Sequence, residues 1–237
     1  MISTNKQDTI ELYFSKFSKH DALESWMDLP SHERTRAAQY KQEEDQTAFT
    51  IVRLELRRIL SEKTGIPIQE ISFVQNSKGK LSCQQAPSYH FSIAHTQEAF
   101  VLAFSLSGPI GVDIEWMHRS LAFEKLEQLV FTEKERLVFQ SISSNVDRQR
   151  MFLQTWTQKE ALTKCLGTTL EKGMQSFEIE LDAGRFLAKS LFDNSISHSL
   201  ITKEIKSYVI SVCSTTLHEI DLQVNNLEFY HSSPLFI

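Results

Sequence analysis

Two short runs hold residue types whose spacing could do chemistry. Gly111-Val112-Asp113-Ile114-Glu115 sets two carboxylates two residues apart, and Trp156-Thr157-Gln158-Lys159-Glu160-Ala161-Leu162-Thr163-Lys164 sets a third beside two lysines. The stretch 110–117 reads as a strand, in which successive side chains alternate, so Val112 and Ile114 enter a core while Asp113 and Glu115 share the other face. Two ionised carboxylates so close repel each other. Either one takes up a proton at a raised pKa, or a cation sits between them. Hard oxygen donors of this kind suit Mg²⁺, which keeps waters and completes its shell with phosphate oxygens. An isolated D-x-E more often marks a solvated strand face, so the reading depends on the second run.

That second run has the period of a helix. From Arg148 to Gly167 the apolar residues Phe152, Leu153, Trp156, Leu162 and Leu166 recur at helical spacing, with Gly167 as the stop signal. Trp156, Glu160, Thr163 and Lys164 then fall on one broad face, with Lys159 at its flank. K-E-x-x-x-K is also the pattern of an exposed ion-pair ladder worth roughly 0.3 kcal/mol. The neighbouring tryptophan favours a partly covered site instead.

Together, in order and separation, the two runs resemble the two defining motifs of the 4′-phosphopantetheinyl transferases, in particular the larger, monomeric, surfactin-synthetase-activating type. Weaker similarity extends from about Ser31 to Gly173. The resemblance implies transfer of 4′-phosphopantetheine from coenzyme A to a serine of an apo acyl- or peptidyl-carrier protein, with release of 3′,5′-ADP. It implies that Asp113, Glu115 and Glu160 hold Mg²⁺, that Glu160 and Lys164 are catalytic, and that Lys159 and Lys164 bind coenzyme A phosphates. Phe91-Ser92-Ile93-Ala94-His95-Thr96 resembles the family's N-[IL]-S-H-[ST] motif and makes His95 a phosphate contact, although Ala94 stands in place of the usual serine. Lys80, in Ser77-Lys78-Gly79-Lys80, matches the basic residue of G-[KR]-P, with Leu81 replacing the proline, and the resemblance makes it a contact to coenzyme A phosphate or to the carrier.

Arg36 is the residue that the resemblance assigns to the 3′-phosphate. Ala48 and Glu33 stand where basic residues are usual, so a looser nucleotide grip is expected, with Arg34 and Lys41 as candidate substitutes. Phe131-Thr132-Glu133-Lys134-Glu135 resembles the family's F-[ST]-x-x-E, but Thr132 and Glu135 also form a capping box at a helix start. Glu135 is therefore left out of the metal set.

Composition limits the alternatives. With 237 residues, of which 41% are hydrophobic, the chain can bury one substantial core or two fused ones. A net charge of −5 opposes non-specific nucleic-acid binding. No apolar run is long enough for a membrane span, and Met1 to Glu11 lacks the basic-then-apolar form of a secretory leader. The three cysteines, Cys83, Cys165 and Cys213, have neither metal-ligand nor disulfide-framework spacing and read as core residues. The histidines show no zinc-ligand arrangement. A cytoplasmic, monomeric enzyme is expected.

Helices followed by short strands occur twice, with a break at Ser107-Gly108-Pro109. The expected fold is α+β, a pseudo-dimer of two similar halves: residues 1–109 with the nucleotide contacts, and 110–237 with the acidic strand, the W-x-x-K-E-A helix and a tail. Coenzyme A would lie in the cleft between them. The tail is expected to pack back through Leu222, Leu227, Phe229 and Tyr230. Two other functions fit parts of the pattern: a non-catalytic coenzyme A-binding homologue, and a Mg²⁺-dependent nucleotide pyrophosphohydrolase.

Overall fold

Ile10, Leu12 and Phe14 alternate with more exposed neighbours to form the first strand, β1 (Asp8–Lys16), and all three are buried. The computed structural model describes residues 8–120, 122–167, 174–182, 185–191, 197–215 and 220–227. After β1, Ser18 starts α1 (Lys19–Ser25) through a reciprocal capping box with Asp21. Next come α2 (Ser31–Ala37) and the 22-residue α3 (Glu43–Thr64), which opens on three acids suited to the positive end of the helix dipole and stops at Gly65. The strands β2 (Phe73–Gln75), β3 (Leu81–Cys83), β4 (His90–Thr96) and β5 (Ala99–Ser105) complete the first half.

A second sequence of the same kind follows. It comprises β6 (Ile110–Trp116), α4 (Phe123–Val130), α5 (Glu133–Ser141) and the 22-residue α6 (Asn145–Leu166). Then come β7 (Phe177–Asp182), β8 (Arg185–Ser190), β9 (Ser197–Ile205), β10 (Tyr208–Ser214) and β11 (Ile220–Asn226).

Strand order shows how the halves correspond. One sheet runs β11-β1-β5-β4 and the other β6-β10-β9-β8-β7, with β2-β3 as a separate hairpin. In each large sheet the strand that precedes the helices pairs antiparallel with the last strand of an antiparallel hairpin that follows the long helix: β1 with β5, and β6 with β10. The fold is α+β. β11 departs from the chain order, because it crosses back to pair in parallel with β1. The expected 110–237 segment thus contributes a strand to the first half's sheet. Leu222 and Leu227 pack against the core as expected, whereas Phe229 and Tyr230 lie outside the described residues.

One apolar cluster joins the two sheets. Leu12, Phe14, Val101 and Ala94 from the first meet Val112, Ile114, Ile210 and Val212 from the second. At the seam, the Val112 backbone N–H donates to the Ser92 hydroxyl at 3.0 Å. β4 and β6 are thereby fixed side by side, with His95 on one and the acidic pair on the other.

Candidate active site

The two faces of β6 have different surroundings. Val112 and Ile114 enter the shared core, while Gly111, Asp113 and Glu115 lie on the face covered by α6. Gly111 makes that coverage possible: a Cβ there would stand 1.9 Å from the Ala161 carbonyl oxygen and 2.4 Å from the Cys165 backbone nitrogen. Only a residue without a side chain lets the helix lie so close to the strand. Hydroxyl contacts fasten the same face, with Thr157 Oγ1 2.8 Å and Thr202 Oγ1 3.0 Å from Ser211 Oγ, and Gln158 donating to Thr202.

This packing sets Lys164 Nζ 2.7 Å from Asp113 Oδ1 and 3.1 Å from the Val112 carbonyl oxygen. Glu160, one turn earlier on α6, joins the same electrostatic group. Burial is the first cause that raises the Asp113 pKa, with Lys164 opposing it. Burial also comes first for Glu160, and the Asp113 and Glu115 charges add to it. Glu115 is raised by burial and then by Asp113, with Arg119 as the main opposing influence. D-x-E here is not a solvated strand face: Asp113 is 8% and Glu115 7% exposed.

Burial raises the pKa of all three acids and the Asp113 charge raises both glutamates further, so the site is short of positive charge. Asp113 Oδ2 is buried without a hydrogen-bond partner. A buried carboxylate oxygen left in that state is costly unless a cation or donor meets it, so the donor set fits a hard divalent cation. Among the described residues, however, no three acidic, histidine or cysteine side chains converge on a single point. Both Glu115 oxygens face Arg119 Nη1, at 2.9 and 3.1 Å. The sequence reading missed Arg119, and only its place four residues after Glu115 hinted at it.

Other expected site residues fall in different places. His95 reaches the surface of β4, and desolvation, followed by the Lys164 charge, holds its imidazole below the ordinary value against the pull of Asp45. At neutral pH the ring is therefore an uncharged donor. Beside Lys164 opens a cleft of about 250 Å³, bounded by the 78–81 turn, by Phe91 and Ile93, and by Thr163 and Gly167. Arg36 is exposed on α2, its guanidinium 5.7 Å from the centre of the Phe49 ring.

Lys159 does not reach this group. It is 1% exposed, and its ammonium lies 2.5 Å from Glu135 Oε2 and 2.8 Å from the Val130 carbonyl oxygen. The physical reason is helical pitch: adjacent residues on a helix project about 100° apart, so Lys159 points into the α5 side while Glu160 faces β6. Glu135 caps α5 with Thr132, accepts from the Ile179 backbone N–H and pairs with Lys159, so it is a structural acid. Lys80 is committed too. Its ammonium donates to the carbonyls of Ile110, Lys164 and Cys165 at 3.0, 2.8 and 3.1 Å, which places it at the C-terminal end of α6, where unpaired carbonyls and the helix dipole attract a cation.

The departures noted in the sequence have structural explanations. Ala48 and Ala94 are core residues, 1% and 4% exposed, so neither leaves a gap at a phosphate site. Glu33 is buried between Arg53 and Arg57, with Arg57 Nε at 3.1 Å and Arg53 Nη1 at 3.7 Å. Arg34 donates to the carbonyls of Met27 and Leu29. Lys41 remains exposed.

Comparison with known proteins identifies the lineage of this arrangement. A family model described as the 4′-phosphopantetheinyl transferase superfamily matches residues 109–213, and one described as 4′-phosphopantetheinyl transferase, N-terminal, matches 17–107. The chain is 30% identical over 156 residues to the 4′-phosphopantetheinyl transferase HetI of Nostoc, covering 65% of each chain. It is 25% identical over 168 residues to the 4′-phosphopantetheinyl transferase psf-1 of Bacillus pumilus, covering 67% of each. To the human L-aminoadipate-semialdehyde dehydrogenase-phosphopantetheinyl transferase it is 28% identical over 165 residues, 65% of this chain and 53% of that one. The chain spans about half to two thirds of the length of the curated relatives it matches.

Proposed function

The chain belongs to the 4′-phosphopantetheinyl transferase superfamily, and on that premise we propose that it transfers the 4′-phosphopantetheine group of coenzyme A to a serine of an apo acyl- or peptidyl-carrier protein. The observation that carries the reading is the acidic group at the seam of the halves: three carboxylates whose pKa burial raises, with Asp113 Oδ2 unpartnered beside Lys164.

In this reading the serine oxygen forms a bond to the pantetheine-side phosphorus, the phosphorus–oxygen bond to the nucleotide breaks, and 3′,5′-ADP leaves with the electron pair. Glu160 is the candidate acceptor of the serine proton. Lys164 already presents an ammonium at the seam and supplies donors to the pyrophosphate, with the neutral His95 ring as a further donor. Asp113, Glu115 and Glu160 would hold Mg²⁺. Bound there, the ion would neutralise charge developing on the phosphate oxygens. Arg36, exposed on α2, remains the candidate contact for the 3′-phosphate, and the cleft beside Lys164 is the candidate path of the pantetheine arm. Lys159 and Lys80 act through structure: one anchors α6 to α5, and the other ties the 78–81 turn to the end of α6.

The test is incubation of a panel of apo-carrier proteins with the chain, coenzyme A and Mg²⁺, followed by mass spectrometry of the carriers. A gain of one phosphopantetheine group on at least one carrier, with matching release of 3′,5′-ADP, is expected. Nucleotide release that proceeds equally without carrier would point to hydrolysis and overturn the proposal.

A further inference from the structure

We propose that Arg119 is an internal counter-ion that occupies Glu115 until a divalent cation takes its place, so that metal entry and release of the guanidinium form a single exchange. The inference rests on the metal-dependent reading above and adds a residue to it.

Three observations carry it. First, the pairing is end-on. A single nitrogen, Nη1, lies 2.9 and 3.1 Å from the two Glu115 oxygens, whereas a permanent arginine–carboxylate pair favours the two-nitrogen fork. Second, the two partners differ in exposure: the Glu115 side chain is 10% exposed and that of Arg119 48%, so the arginine can withdraw to water while the acid stays in place. Third, the loop that carries Arg119 is held rather than left to wander. Gln149 Nε2, from α6, donates to the carbonyls of Met117 and Arg119 at 2.6 and 2.9 Å, and the Met117 backbone N–H donates to Ser207. A guanidinium thus stays close to the acidic group on an anchored backbone while its side chain remains free to leave.

The chemistry of the group explains why such a device would be needed. Asp113, Glu115 and Glu160 are neighbouring acids with Lys164 as the other close cation, and that lysine bonds only to Asp113 among them. Without metal, Glu115 would face two other carboxylates, and Arg119 offsets that repulsion.

The test is calorimetric titration of Mn²⁺ into wild type, Arg119→Gln and Arg119→Lys, each alone and saturated with coenzyme A, together with melting temperatures with and without Mn²⁺. Arg119→Gln should bind Mn²⁺ about threefold to tenfold more tightly, as expected when a half-exposed competing ion pair is removed. It should also melt lower than wild type without metal and gain more when metal is added. Arg119→Lys, which keeps a charge, should lie between the two. Unchanged or weaker Mn²⁺ binding by Arg119→Gln, with wild type binding normally, would sink the exchange while leaving the transferase reading intact. Absence of Mn²⁺ binding in all three proteins would overturn both.

Discussion

The two long helices share a length of 22 residues and a left-handed glycine stop, yet the charges packed against them are arranged in opposite ways. Beside α3, one acid, Glu33, serves two arginines, and the guanidinium surfaces left over lie on aromatic rings. Arg53 is 5.1 Å from the centre of the Phe49 ring and 5.2 Å from that of Phe73, and Arg57 is 4.9 Å from that of Phe73. Arg57 also donates to the Ile71 carbonyl. Beside α6, three acids surround Lys164, one carboxylate oxygen has no partner, and a half-exposed arginine stands at the edge. The first cluster has a surplus of cations and lays their faces on rings, although Arg53 Nη1 and Arg57 Nη2 have no hydrogen-bond partner either. In the second the surplus is negative and is held in place at the cost of stability, which is the condition of a site awaiting a cation.

The largest effect that would separate the clusters comes from the first. Glu33→Gln leaves Arg53 and Arg57 buried without their acid and should cost about 3–5 kcal/mol in unfolding free energy, as measured by denaturant titration. A loss under 1 kcal/mol would mean that the aromatic rings alone sustain both cations.

Next in size is the contact that builds the second cluster. Gly111→Ala forces α6 away from β6 and should cost about 1–3 kcal/mol in stability. Transfer activity should fall further than stability does, because Glu160 and Lys164 move with the helix. Full activity in this variant would show that the close approach of helix to strand is not what positions them.

A smaller effect, and opposite in sign, is expected at the acids themselves. Each of the three has a folded-state pKa raised above its ordinary value, 3.8 for Asp113 and 4.5 for Glu115 and Glu160. The folded chain therefore binds more protons than the unfolded chain above those values. The stability contributed by the protonated forms is complete below them and is lost as pH rises through the folded-state pKa values. Wild type should lose stability as pH climbs from 4 toward neutrality in chelator, and Asp113→Asn should show a shallower decline. A parallel decline in both proteins would remove Asp113 from the linkage.

The smallest effect lies at Ala94. Its side chain faces the joint core, so Ala94→Ser should cost about 1 kcal/mol or slightly more and leave coenzyme A affinity unchanged. Tighter coenzyme A binding would place position 94 at the phosphate after all.

These outcomes also mark what was legible in the sequence. Period-2 alternation identified β6 and the shared face of Asp113 and Glu115, and helical period grouped Glu160 with Lys164, because both patterns follow directly from backbone geometry. What one residue of rotation decides was not legible. Lys159 adjoins Glu160 in the chain yet enters a separate ion pair, and the burial of Ala48 and Ala94 depends on which face meets a sheet that forms elsewhere. The resemblance makes Lys80 a phosphate or carrier contact, and nothing local shows that the end of α6 arrives above it. The alternation of Ile10, Leu12 and Phe14 is a local signal for β1. β9 is mostly polar, and β11 pairs with a strand some two hundred residues earlier, so neither had a clear local signal.

Asp113 tests the difference between the two clusters most directly, since it is the acid with the unpartnered oxygen. Wild type and Asp113→Asn are compared on the same preparations at neutral pH, by melting temperature in chelator and by mass spectrometry of an apo-carrier incubated with coenzyme A and Mg²⁺. The asparagine variant should melt at or above wild type and leave the carrier unmodified, while wild type adds the phosphopantetheine group. Carrier modification by Asp113→Asn at the wild-type rate would contradict the account.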